Sequence, residues 1–205
     1  MLPTLISLLI TVASSNYVPE KVTIASHVMP MDDRYAVPSV NTVFKDNILL
    51  TLAYMNGQVT SKADIDWNKI EADSHYEFTL KPGEEFAFHE KIGKQFDNGN
   101  VVKTTKAHFN YDDGFKSDGY LTGDGVCHFA SIIDWVATDA GLEVVAPTNH
   151  NFAKIPDVPA QYGVGIYMGP DAGEMNNLYV TNTKEKPVTF VFDYKNGDLT
   201  VSVKD

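Results

Sequence analysis

A single cysteine, Cys127, stands in this chain of 205 residues, so no internal disulfide can form. A lone thiol is either buried and inert or reactive, and cysteine usage by itself leans toward a reducing compartment. Basic residues are also scarce: 16 Lys and Arg face 27 Asp and Glu, for a net charge of -11. That balance argues against sequence-independent nucleic-acid binding, which needs cations to neutralise phosphates, and against electrostatic attachment to anionic lipid. No apolar run reaches the length of a membrane-spanning helix. There is no internal repeat, no phosphate-binding loop and no G-x-S-x-G elbow. No pair of histidine or cysteine residues has a recognised zinc spacing. A metal reading would have to recruit Cys127, His128, His150 and Asp124, and it ranks last. No cofactor is expected.

What is present is ordinary globular material, 43% hydrophobic and 11% aromatic, enough to bury a core in one domain. Residues 1–15 are expected to be an export signal. An apolar run, Leu5 to Ala13, is followed by small residues, although the usual positive start is missing. Residues 16–43, with Pro19, Pro30 and Pro38, read as a linker or extended arm. Residues 44–205 form the domain.

Asp46 to Gly57 reads as a short core helix with Asp46 or Asn47 as its cap and Asn56-Gly57 as its stop. Tyr76 to Leu80 and Glu85 to His89 read as strands, joined by the turn Lys81-Pro82-Gly83-Glu84. Residues 94–122 are irregular. Strands are expected at Gly163 to Met168, Leu178 to Thr181, Val188 to Tyr194 and Leu199 to Val203. Asn196-Gly197 turns the last two into a hairpin.

The chemistry concentrates between Gly123 and His150. Gly123, Asp124 and Gly125 make a tight turn, and Ile132, Ile133, Val136, Ala137 and Ala140 follow helical spacing. Cys127 then falls in the first turn of a helix, where free N–H groups favour a thiolate. Leu142 to Val145 reads as a strand, with His150 beyond it. A cysteine at a helix start with a histidine nearby is the logic of a Cys–His nucleophile. A structural thiol is the competing reading. His128 follows Cys127 directly and should point about 100° away from it around the helix, so the two are not expected to face one site. His89, at the end of a strand, is a further candidate near the site. His27, His75 and His108 read as surface or satisfied polar residues, and the same reading is open for His89.

These blocks resemble the VanW family, named for a component of vancomycin-resistance gene clusters. L-K-P-G-E-E-F-A-F-H-E-K-I-G (80–93) is similar to its P-G-E-x-F-S-F-N block. G-D-G-V-C-H (123–128) is similar to G-G-G-[IV]-C-Q, and A-G-L-E-V-V (140–145) to A-G-L-E-I-V. His150-Asn151 falls at the family's His-Ser, D-V-P (157–159) near its Y-V-P, and Asn177 to Val191 at its closing strands. Three departures stand out. His128 replaces a Gln, and Phe129-Ala130-Ser131 replaces a Ser-rich helix start. Gly163-Val164-Gly165-Ile166 aligns with D-A-T-V, which leaves Gly163 where the family has Asp.

The resemblance implies an exported or cell-surface protein tied to the cell wall, peripheral to or outside the membrane; a monomer is expected. Its partner would be peptidoglycan or its peptide stems. Two functions are open. One is a thiol acyltransferase or amidohydrolase with Cys127 as nucleophile and His150 as base; Gly123, Asp124, Gly125, His128 and His89 would be binding residues. The other is a non-catalytic wall-binding or accessory module. The fold expected is α+β, a mainly antiparallel sheet with the Cys-bearing helix packed on it, similar in element order to papain and transglutaminase folds.

Overall fold

The computed structural model describes residues 21–119, 121–168 and 176–205. The expected export signal lies outside them. The architecture is α+β, with two four-stranded sheets, both largely antiparallel. The first has the order β1-β8-β7-β2, built from β1 (Thr23–Pro30), β8 (Asp198–Lys204), β7 (Val188–Lys195) and β2 (Ser74–Leu80). The second has the order β4-β3-β6-β5, from β4 (Val101–Thr105), β3 (Glu85–His89), β6 (Tyr179–Thr181) and β5 (Glu143–Val145). Among the described residues only β3 and β4 run parallel. The same residues contain three α-helices: α1 (Pro38–Asn56), a single turn α2 (Trp67–Ile70) and α3 (Val126–Asp139). Among the described residues no helix is long and apolar enough to cross a membrane.

Turn chemistry sets much of this. The β7–β8 hairpin closes on Asn196 (φ 53°) and Gly197 (φ 84°), both left-handed, matching the twist of the flanking strands. Gly83 (φ 79°) completes the β2–β3 turn, and the Glu84 N–H donates to Lys81 O at 2.9 Å.

Two expectations are corrected, and one is made specific. Within the segment read as a linker or extended arm, Thr23–Pro30 pairs antiparallel with β8 as an edge strand. Its side chains are mostly part-exposed, so it lacks an apolar signal, and an edge position tolerates Pro30. Helix α1 begins at Pro38 instead of Asp46, because a proline suits the first helical position, where its missing N–H is not needed. Residues 163–168 form no strand and make only an isolated bridge, Asn149 with Val164.

Helix α3 joins the two sheets. It packs on β1 and β8 of the first, on β5 of the second and on α1. Phe129 is fully buried, with Phe88 of β3 at 6.0 Å on one side and Phe192 of β7 at 5.7 Å on the other, both edge-on. Such aromatic pairs add about 0.5–1.5 kcal/mol each beyond area burial. The start of α3 is therefore held by both layers.

Candidate functional site

The turn before α3 owes its composition to packing. Gly123 has φ 85° and Gly125 φ 100°. A Cβ on Gly125 would lie 2.7 Å from Phe44 O, and one on Gly123 2.8 Å from Phe109 O. Both positions demand glycine on conformational and steric grounds together. Asn47 fixes the same turn from α1. Its amide donates to Lys116 O (3.0 Å) and Asp124 O (2.8 Å), and its Oδ1 accepts from the Lys116 N–H at 2.8 Å. Asn47, expected as a helix cap, is a fully buried latch.

A cavity of about 660 Å³ opens around the first turn of α3. Gly123, Asp124, Gly125, Cys127, His128 and His150 all line it, with Tyr35, Phe44, Phe109, Phe152 and Tyr167 as an aromatic wall. Cys127 and His128 do share one site, against the helical-wheel expectation. At the end of a helix the cavity wraps over the first turn, so neighbouring side chains can border it from two sides. His89 is absent from the lining. It is fully buried; its Nε2 bonds Asn176 O (2.9 Å), its Nδ1 accepts from the Lys91 N–H (3.2 Å), and Asn177 clamps its backbone. That network is structural.

The thiol is held between two backbone groups. The Ile166 N–H donates to Cys127 Sγ at 3.3 Å, and the S–H faces Ile166 O at 3.5 Å. A thiolate in that place would confront a carbonyl oxygen. Crowding by protein raises the thiol pKa above its ordinary value, and the nearby Asp124 carboxylate pushes the same way. Desolvation thus outweighs the helix start, which alone would favour the anion. No hydrogen bond links Cys127 to His150, whose Nδ1 bonds Ala153 O at 3.0 Å. Asp124 is itself raised, by burial first, and accepts the Asp118 N–H at 3.0 Å.

His128 has an unexpected neighbour. Arg34, the sequence's only arginine, is buried, with its side chain 2% exposed. It donates to His128 Nδ1 (3.0 Å) and to Pro156 O (2.7 Å). Its Nε has no hydrogen-bond partner but lies 3.8 Å from Asp157 Oδ2. Burial, followed by the Arg34 charge, holds the His128 pKa well below its ordinary value. Burial also lowers that of His150. Asp157 is thus engaged by Arg34 and not by His150. Sequence reasoning passed over Arg34. The available signal was its solitude, since the chain otherwise uses lysine for positive charge.

Gly163 sits directly beside His150. The His150 N–H donates to Gly163 O at 2.9 Å, and a Cβ built on Gly163 would lie 3.4 Å from the His150 Cβ. A side chain at 163 would therefore neighbour the imidazole. Here that neighbour is missing, and His150 is oriented by a backbone carbonyl instead. Among the described residues, no group of three or more His, Cys, Asp and Glu side chains converges to hold a metal ion.

A family model described as VanW like protein matches residues 68–204. No curated protein matches, and no solved structure matches.

Proposed function

This chain belongs to the VanW-like family, and from that premise we propose that it is a non-catalytic binding module of the cell envelope. Its cavity takes a segment of a peptidoglycan stem peptide, in keeping with the family's association with vancomycin resistance. One observation carries this reading. Cys127 spends both its hydrogen-bonding capacities on Ile166, in surroundings that favour the protonated thiol, and has no bond to His150. A nucleophilic thiol needs a base or a cationic neighbour that lowers its pKa. The aromatic wall, with a few polar groups set in it, is the usual make-up of a binding pocket.

The competing reading, thiol-dependent acyl transfer on a papain-like plan, draws on Cys127 lying in the first turn of α3 with His150 on the same cavity. Calorimetry with soluble stem peptides separates the two. Binding by wild type and by Cys127→Ser at equal affinity supports the module. A covalent peptide adduct on wild type that Cys127→Ser abolishes overturns it.

A further inference from the structure

His128 and His150 meet edge to face on the cavity wall, with ring centroids 6.0 Å apart and planes at 82°. Each commits its Nδ1 to the protein, in opposite senses. Arg34 can only donate, so His128 Nδ1 must be the acceptor, and the ring's hydrogen resides on Nε2. Ala153 O can only accept, so His150 Nδ1 must carry hydrogen, and its Nε2 presents a lone pair. Neither Nε2 has a hydrogen bond within the described residues, and neither is sealed from solvent. The cavity thus offers one fixed donor beside one fixed acceptor.

We propose that this pair reads an extended peptide backbone: His128 Nε2–H donates to the carbonyl of one residue, and His150 Nε2 accepts the N–H of that same residue. Carboxylates only accept and ammonium groups only donate, so each would satisfy one ring and oppose the other. A residue of an extended peptide presents its N–H and C=O on one side and offers both functions. Phe152 packs on the His150 ring at 4.0 Å and Phe44 on the His128 ring at 4.9 Å. These contacts fix the orientation of both rings on the cavity wall. Arg34 is the positioning residue, because its donation decides which nitrogen of His128 faces the ligand. The proposal rests on the peptide-binding reading above and names the chemical group that is recognised.

Two measurements on the wild-type chain test it. In ¹⁵N-labelled protein at neutral pH, His128 should show its unprotonated nitrogen at Nδ1 and His150 at Nε2. The same tautomer in both rings overturns the assignment. The second uses N-acetyl-trialanine methylamide and a set of analogues, each with one backbone amide replaced by an ester. Replacing the amide that faces His150 should weaken binding about tenfold, the scale of one lost hydrogen bond. Equal affinity across the whole set overturns amide reading while leaving the binding-module reading intact. Failure of the parent peptide to bind at all overturns both.

Discussion

Arg34 donates to Nδ1 of His128 across 3.0 Å, so a permanently charged side chain rests against a histidine that must stay neutral. Replacing Arg34 with Met removes both the donor and the nearby cation. His128 should then titrate at a higher pH, followed by its ring-proton resonances, because one of the two main causes of its lowered pKa is gone. An unchanged titration would mean that burial alone keeps the ring neutral.

Neutral buried histidines tie stability to pH. Both His128 and His150 have folded-state pKa values below the ordinary one. Below about pH 6.5 the unfolded chain binds protons that the folded chain refuses, so stability falls as pH falls through that range. Asp134 works the other way. Burial raises its carboxyl to about 6, so the folded state holds the extra proton between about pH 4 and 6, and stability from this group drops as pH rises. Asp134→Asn should therefore stabilise the fold by about 2–3 kcal/mol at pH 7 and by nothing below about pH 4. Urea melts at the two pH values decide it; equal effects at both would contradict the assignment.

The latch and the turn should fail together. Asn47→Ala leaves part-buried backbone groups of Lys116 and Asp124 without their Asn47 partner, at a cost of about 1–3 kcal/mol. Gly125→Ala forces a left-handed backbone and a Cβ onto Phe44 O, at a cost of at least about 2 kcal/mol. Both should weaken ligand binding in variants that still fold, measured by denaturation and calorimetry on the same samples. Full stability in either would remove the packing explanation of the glycine-rich turn.

Gly163→Asp restores the carboxylate of the family pattern beside His150. The added Cβ is tight, 3.2 Å from Ala160 O, but the site needs no left-handed backbone. A carboxylate there should raise the His150 pKa, by favouring the imidazolium. An NMR titration showing no rise would place the new side chain away from the ring.

Legibility in the sequence followed local chemistry. The Asn196-Gly197 hairpin and the turn at Gly83 were readable because positive φ leaves a residue signature. The helix after Gly125 was readable from its apolar period. Strand β1 was not, since an edge strand with a mixed surface carries no alternation, and residues 163–168 looked like a strand but serve as a backbone clamp on Cys127 and His150. The grouping of Cys127, His150 and the Gly123–Gly125 turn was legible, as all of them line one cavity. Its electrostatics were not. A helix start suggests a thiolate, and only the tertiary placement of Ile166 and Asp124 reverses that sign. Arg34 approaches His128 from the far side of α1 in sequence, a contact no spacing rule anticipates.

Burial and two hydrogen bonds to Ile166 hold Cys127 as a protonated thiol on the cavity wall. The most direct measurement is the pH dependence of its alkylation by iodoacetamide in the native protein, followed by intact mass. Slow modification is expected at neutral pH, with a midpoint above the free-cysteine value of about 8.5. Rapid modification at pH 6–7, with a midpoint well below that value, would show a thiolate poised for nucleophilic chemistry and contradict it.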